Sequence, residues 1–191
     1  MKHVLFVVMM LVIGVGVVYG IPPKSEAKRI VYVVDFSEAV GEELEGLKSE
    51  LLRSILNMIP VQPFDVVMVS DKAEAMHGEL KRASAEVKKE AKEKIAAMKL
   101  KGKNDGKLEP FKEGFEKAFA MQPDRIYFLT VSSFDPELVA AVKQLNEKKK
   151  VRVNALGWVK EDEGRDELLR TMAEENGGKF KHVTKADLEK K

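Results

Sequence analysis

The sequence predicts an α/β protein in which parallel strands alternate with crossover helices. Two observations carry that prediction. From Arg29 onward, apolar runs of five to eight residues alternate with longer stretches whose apolar residues recur every three or four positions, the rhythm of βα units. The first run, RIVYVVDFSEAV from Arg29 to Val40, is apolar without interruption until Asp35, Ser37 and Ala39. A strand apolar on both faces reads as a buried parallel strand, and its carboxyl end is where open α/β sheets bind ligands.

The elements follow in order. Leu44, Leu47, Leu51, Leu52 and Ile55 define an amphipathic helix that ends before Pro60. FDVVMVS, Phe64 to Ser70, is the second strand. Between Asp71 and Lys107 apolar content is lowest, and pairs such as Glu90 with Lys94 mark a solvated helix, with His77 placed in that charged region. Gly102 to Lys107, GKNDGK, is a flexible loop. Its lysines suggest a phosphate cradle, but it lacks the spacing of a Walker loop or dinucleotide fingerprint and no strand feeds it. Phe115, Ala118 and Phe119 belong to a helix stopped near Pro123, and Ile126 to Val131 is the next strand. Pro136 suits the first turn of a helix running to about Glu147, and Val151 to Trp158 is another strand. Leu168, Leu169, Met172 and Ala173 line a helix ending at Gly177 and Gly178, and Phe180 to Val183 closes the sheet.

The chain's 191 residues, 45% of them hydrophobic, suffice for one domain and a substantial core once residues 1–27 are set aside. Thirty-three Lys and Arg against 31 Asp and Glu leave a formal charge of +2, which gives no global electrostatic basis for binding nucleic acid. The absence of cysteine excludes disulfides, thiolate metal sites and a cysteine nucleophile. Val4 to Ile21 is 18 residues without a charge, preceded by Lys2 and followed by Pro22 and Pro23, the layout of an export signal. As a helix it would span about 27 Å against a hydrocarbon core of about 30 Å, so retention as an anchor is as open as cleavage. Val18 with Gly20, or Ser25 with Ala27, offers small residues for processing. The domain is expected over residues 28–191, exported to the periplasm or beyond or held at the membrane through the N-terminal segment alone.

The DFSEA turn and the segments PDRIYFLTVSSFDPE and ENGGKFKHV resemble von Willebrand factor type A (vWA) domains, over about residues 28 to 184. The likeness is strongest to bacterial exported proteins in which a strand of the form IYFLTDG precedes a Phe-Asp pair. The resemblance implies a doubly wound, mostly parallel sheet of about six strands with helices on both faces. It also implies one short antiparallel edge strand within residues 72–83. Function in that family usually rests on a metal-ion-dependent adhesion site built from three loops. Asp35 and Ser37 match the ligating Asp and first Ser, while Ala39 replaces the last Ser. The expected Thr of the second loop falls on Leu108 or Glu109, and Val131 stands in place of the third loop's Asp, with Ser132 in place of its Gly. Mg²⁺ needs near-octahedral oxygen coordination and is seldom held by one carboxylate. The resemblance therefore implies a degenerate site with residual ligands Asp35 and Ser37, no resident cofactor, and Glu109, Asn104 or Asp105 as the replacements that would rescue Mg²⁺ binding.

The sequence thus points to a non-enzymatic module that binds or scaffolds a protein partner. The contact edge is expected at Phe36, Glu38, Asp105, Glu109, Ser132, Ser133, Phe134 and Asp135, with Phe36 and Phe134 either buried or forming an exposed aromatic patch. Asp35 and Ser37 would then cap the following helix and satisfy loop amides. Two alternatives differ in class. One is metal-dependent ligand capture. The other is a small hydrolase using Ser132 or Ser133 with Asp135, for which neither His77 nor His182 stands in any motif relation. Trp158 is expected as a core plug rather than an edge contact.

Overall fold

The computed structural model describes residues 29–102, 106–159, 161–184 and 186–187. The signal or anchor expected over residues 1–27, and Asn104 and Asp105, lie outside the described residues. Strands β1 (Ile30–Asp35), β2 (Pro63–Val69), β3 (Ala73–Ala75), β4 (Lys81–Arg82), β5 (Arg125–Thr130), β6 (Arg152–Trp158) and β7 (Phe180–Val183) form one sheet in the order β3-β2-β1-β5-β6-β7, with β4 also on β2. β1, β2, β5, β6 and β7 are parallel. The alternation of faces along β1 decides the layers. Ile30, Tyr32 and Val34 meet α1 (Leu44–Leu56) and α2 (Ala85–Ala97), while Val31 and Val33 meet α3 (Leu108–Ala120), α4 (Glu137–Asn146) and α5 (Glu163–Glu175). The sheet is doubly wound.

Local chemistry sets the boundaries. Ser84 caps α2 by accepting the Val87 amide at 3.3 Å, and Asp162 caps α5 by accepting the Arg165 amide at 2.9 Å. After α5, Gly177 takes φ +66°. A Cβ on Gly178 would stand 1.8 Å from the Val153 carbonyl oxygen, so the chain can meet β6 there only as glycine. Trp158 is fully buried, as a core plug should be. No helix among the described residues is long and apolar enough to cross a membrane.

The weakly patterned region departs from expectation in two ways. Two short antiparallel strands replace the single one: β3 pairs Val67 to Val69 and β4 pairs Pro63 and Phe64, so together they form one interrupted edge beside β2. His77 lies not in a helix but in the turn between them, its side chain buried and edge-on to Phe64 at 6.4 Å. The interruption is organised by Asp65, a buried carboxylate on β2 that accepts the amides of Val66 at 2.8 Å, His77 at 3.1 Å and Gly78 at 2.9 Å. Three backbone donors satisfied by one side chain hold a turn that the sheet ladder cannot.

Burial pushes the Asp65 carboxyl up to about 6 from its ordinary 3.8, although those amides and Lys94 pull it down. A raised carboxyl binds its proton more tightly in the folded than in the unfolded chain. Its contribution to stability is therefore complete below pH 3.8 and is lost as pH rises through about 6. Denaturant melts between pH 4 and 7 are expected to show this group removing about 3 kcal/mol as pH rises. The wild-type slope should flatten in Asp65→Asn, and carboxyl ¹³C titration of Asp65 should report a midpoint near 6.

Candidate functional site

β1 and β5 are neighbours, but the chain leaves β1 toward β2 and leaves β5 toward β6. Such a switch point opens a crevice at the carboxyl edge of the sheet, and the strand ends there are Asp35 and Thr130. Asp35 is fully buried. Its Oδ1 accepts the Ser37 amide at 3.0 Å. Its Oδ2 accepts the Thr130 hydroxyl at 3.0 Å, the Ser132 amide at 3.3 Å and the Ser132 hydroxyl at 2.6 Å. Ser37 Oγ lies 3.5 Å from Ser132 Oγ and makes no cap to the helical turn that follows, so its expected capping role is corrected.

The three loops converge as expected. The second is stitched to the first by the bonds Glu38 N to Gly102 O at 3.0 Å and Lys101 N to Phe36 O at 3.2 Å. It is stitched to the third by Asp135 N to Gly106 O at 2.9 Å. Gly106 has φ +75°, and a Cβ there would come 2.7 Å from the Ser133 carbonyl oxygen, so this junction depends on glycine.

Arg165 pins the third loop from below, a role not anticipated from sequence. Its guanidinium is 1% exposed and donates to the Val131 carbonyl at 2.8 Å. The same group grips Asp166 Oδ1 through Nε at 2.9 Å and Nη2 at 2.8 Å, and Asp166 Oδ2 meets His182 Nδ1 at 2.7 Å. The signal was present: Arg165 stands three and four residues before Leu168 and Leu169, on the apolar face of α5, where a charge requires partners.

Several expected edge residues are not on the surface. Phe36 and Phe134 are 3% and 5% exposed, and Ser132 is buried. Phe134 packs edge-to-face on Phe128 at 5.8 Å and Phe111 at 6.1 Å, a geometry whose burial outweighs exposure of a ring to water. The exposed aromatic patch is therefore corrected to core. Glu38, Glu109 and Ser133 are exposed, and Asp135 is half-buried with its carboxylate accepting the Glu137 amide at 2.9 Å. Ser133 Oγ donates to Asp162, and among the described residues neither Ser132 nor Ser133 is bonded to a histidine.

Tested against Mg²⁺, the donors among the described residues do not form a ligand set. Among those residues Asp35 is the carboxylate that ends a strand at the switch point, and it already receives four hydrogen bonds. Val131 packs in the apolar core, and Glu109 faces solvent at the start of α3. No group of three His, Asp or Glu side chains among the described residues is placed to hold a metal ion.

Beside this network lies a groove of about 420 Å³ between β2, β3 and the end of α2. Phe36, Met68, Met76 and Met98 line it, and Lys99 and Lys101 stand exposed on its rim. Its methionines come from three separate segments, which is why no sequence window revealed it.

Among solved structures, a von Willebrand factor type A protein from Catenulispora acidiphila superposes with a TM-score of 0.71 at 19% identity, over 84% of this chain and 40% of that one. The fold is that of a vWA domain. Conserved hypothetical protein BatB from Bacteroides thetaiotaomicron shares the vWA fold at a TM-score of 0.59 and 15% identity, over 82% of this chain and 90% of that one. An aerotolerance-related membrane protein from Bacteroides fragilis NCTC 9343, carrying multiple mutations to serines, gives 0.61 and 15% over 83% and 92%. This chain spans about two fifths of the Catenulispora protein's length. No family model matches the sequence, and no curated protein does.

Proposed function

We propose that this vWA-fold domain is a non-catalytic protein-binding or scaffolding module, exported or tethered to the membrane through residues 4–21. In this reading its carboxyl edge holds a protein partner by direct contact, without a bridging metal. The observation that carries it is the saturation of Asp35: serine and threonine donors occupy the carboxylate that a vWA metal site would need open. The methionine-lined groove beside Phe36 supports the same reading, because unbranched, polarisable methionine adapts to varied apolar partners and is over-used at binding surfaces. The exposed Lys99 and Lys101 flank it with polar contacts, the arrangement of an interface core with its rim.

Calorimetric titration of the full chain with Mg²⁺ and Mn²⁺, run beside Asp35→Ala, is the test. No saturable heat at millimolar metal is expected in either protein. Saturable binding that disappears in the variant would sink the metal-free reading and restore metal-dependent capture.

A further inference from the structure

The large hydrophobic residues that stand exposed among the described residues are Leu56 at 46%, Ile59 at 56% and Val61 at 65%. They fall within six positions, at the last residue of α1 and in the loop that leads from it into β2. Scattered exposed apolar side chains need no explanation, but a cluster does. The loop lies at the amino edge of the parallel strands, opposite the switch point, because Pro63 opens β2 and its neighbour Phe64 pairs with Ile30, the first residue of β1. The described chain begins at that same edge, at Arg29.

Residues 22–28 separate Arg29 from the uncharged run Val4 to Ile21. Seven residues reach about 25 Å at most. If that run is held in a bilayer, the amino edge is confined to the membrane surface. The charges of that edge fit such a surface. Exposed Lys148, Lys150 and Arg152 surround the start of β6, Lys179 precedes β7, and Arg82 lies beside Pro63. Of the acidic residues there, Asp124 is engaged by Arg29 at 2.8 Å and Glu175 by Lys143 at 3.1 Å, Glu147 stands among the lysines, and Glu86 is exposed at the start of α2, in the same turn as Lys88, which donates to the Leu56 carbonyl.

We propose that the Leu56–Val61 segment and the cations along the same amino edge form a lipid-contact face that seats the domain on an anionic bilayer. Apolar side chains enter the acyl boundary while Lys and Arg meet headgroup phosphates. The inference rests on the tether in the proposed function. It also orients the molecule: β1 is six residues long, so the carboxyl edge stands about 20 Å above the lipid, open to a partner.

Because the chain has no cysteine, single labels test this directly. The full chain carrying Val61→Cys, or Glu38→Cys at the opposite edge, is labelled with a polarity-sensitive fluorophore. Each is reconstituted into phosphatidylcholine vesicles with and without phosphatidylglycerol, and nitroxide lipids serve as quenchers. The expected result is several-fold stronger quenching at Val61 than at Glu38, with a blue shift that grows with the anionic lipid. A chain that floats with the vesicles while both labels remain equally unquenched overturns the lipid face and leaves the tether standing. A chain that does not float overturns both. Shielding of Val61 from aqueous quencher in native membranes, without quenching by nitroxide lipid, overturns the lipid face in favour of a protein neighbour.

Discussion

Asp35→Ala is expected to destabilise the domain by roughly 3 kcal/mol or more, lowering its melting temperature by on the order of 10 °C. The substitution removes one carboxylate but strands the Ser37 amide on the first loop and the Ser132 hydroxyl on the third, while the Thr130 hydroxyl and Ser132 amide fall back on the Ser132 carbonyl at 3.1 Å and Thr130 Oγ1 at 3.0 Å. All of these are buried with Asp35, and a buried donor without an acceptor costs about 1–3 kcal/mol. Asp35→Asn should be milder, since an amide oxygen turned toward Thr130 and Ser132 keeps the larger cluster and gives up only the bond to the Ser37 amide. The ordering wild type, Asn, Ala by thermal and urea melts, unchanged by added Mg²⁺, identifies Asp35 as a structural clamp. If Asp35→Ala melted like wild type in metal-free buffer and differed only with Mg²⁺ present, the clamp would be wrong and the ligand role right.

That clamp explains how the three loops stay converged at the switch point through the described residues alone. In a metal site the cation draws loops together through their oxygens. Here Asp35 takes the cation's place as the common partner, with Ser132 reaching it from the third loop. Val131, which cannot ligate, contributes its backbone carbonyl to Arg165 instead. The second loop, which offers Leu108 and Glu109 where a ligating Thr is expected, is tied by backbone bonds through Gly102 and Gly106.

Where side-chain periodicity dictates structure, the sequence was legible. The apolar runs became β1, β2, β5 and β6, and the Leu44 to Ile55 pattern became α1 within a residue or two at its ends. Asp35 and Ser37 were correctly placed at the switch point because they end an apolar strand. What failed was whatever depends on partners distant in sequence. Phe36 and Phe134 sit in polar loops whose sequence leaves burial and exposure both open, and each ring finds a core pocket from another segment: Phe134 from α3 and β5, Phe36 from the layer of α1 and α2. Asp65 interrupts an apolar strand with no visible reason until the His77 and Gly78 amides fold onto it. The second antiparallel strand is two residues long, too short to leave any periodicity.

Arg165→Met should cost about 3–5 kcal/mol, with an effect on the site that its position on α5 conceals. Methionine preserves length and apolar volume, so the loss isolates the guanidinium. Removing the charge leaves the Val131 carbonyl without the donor it has at 2.8 Å and leaves Asp166, 20% exposed at its side chain, facing only His182. Breaking a buried ion pair from one side is costly because the remaining charge is still desolvated. Arg165→Lys should recover only part of the loss, since one ammonium cannot reach both Val131 and Asp166 with the fork geometry of the native group. The consequence extends to Ser132, one residue beyond Val131. With the carbonyl unpinned, the third loop can move away from Asp35, so amide exchange at Ser132 and Ser133 should accelerate more than in β3 at the opposite edge of the sheet. Uniform acceleration throughout the sheet would instead mean that Arg165 supports global stability alone and does not position the edge.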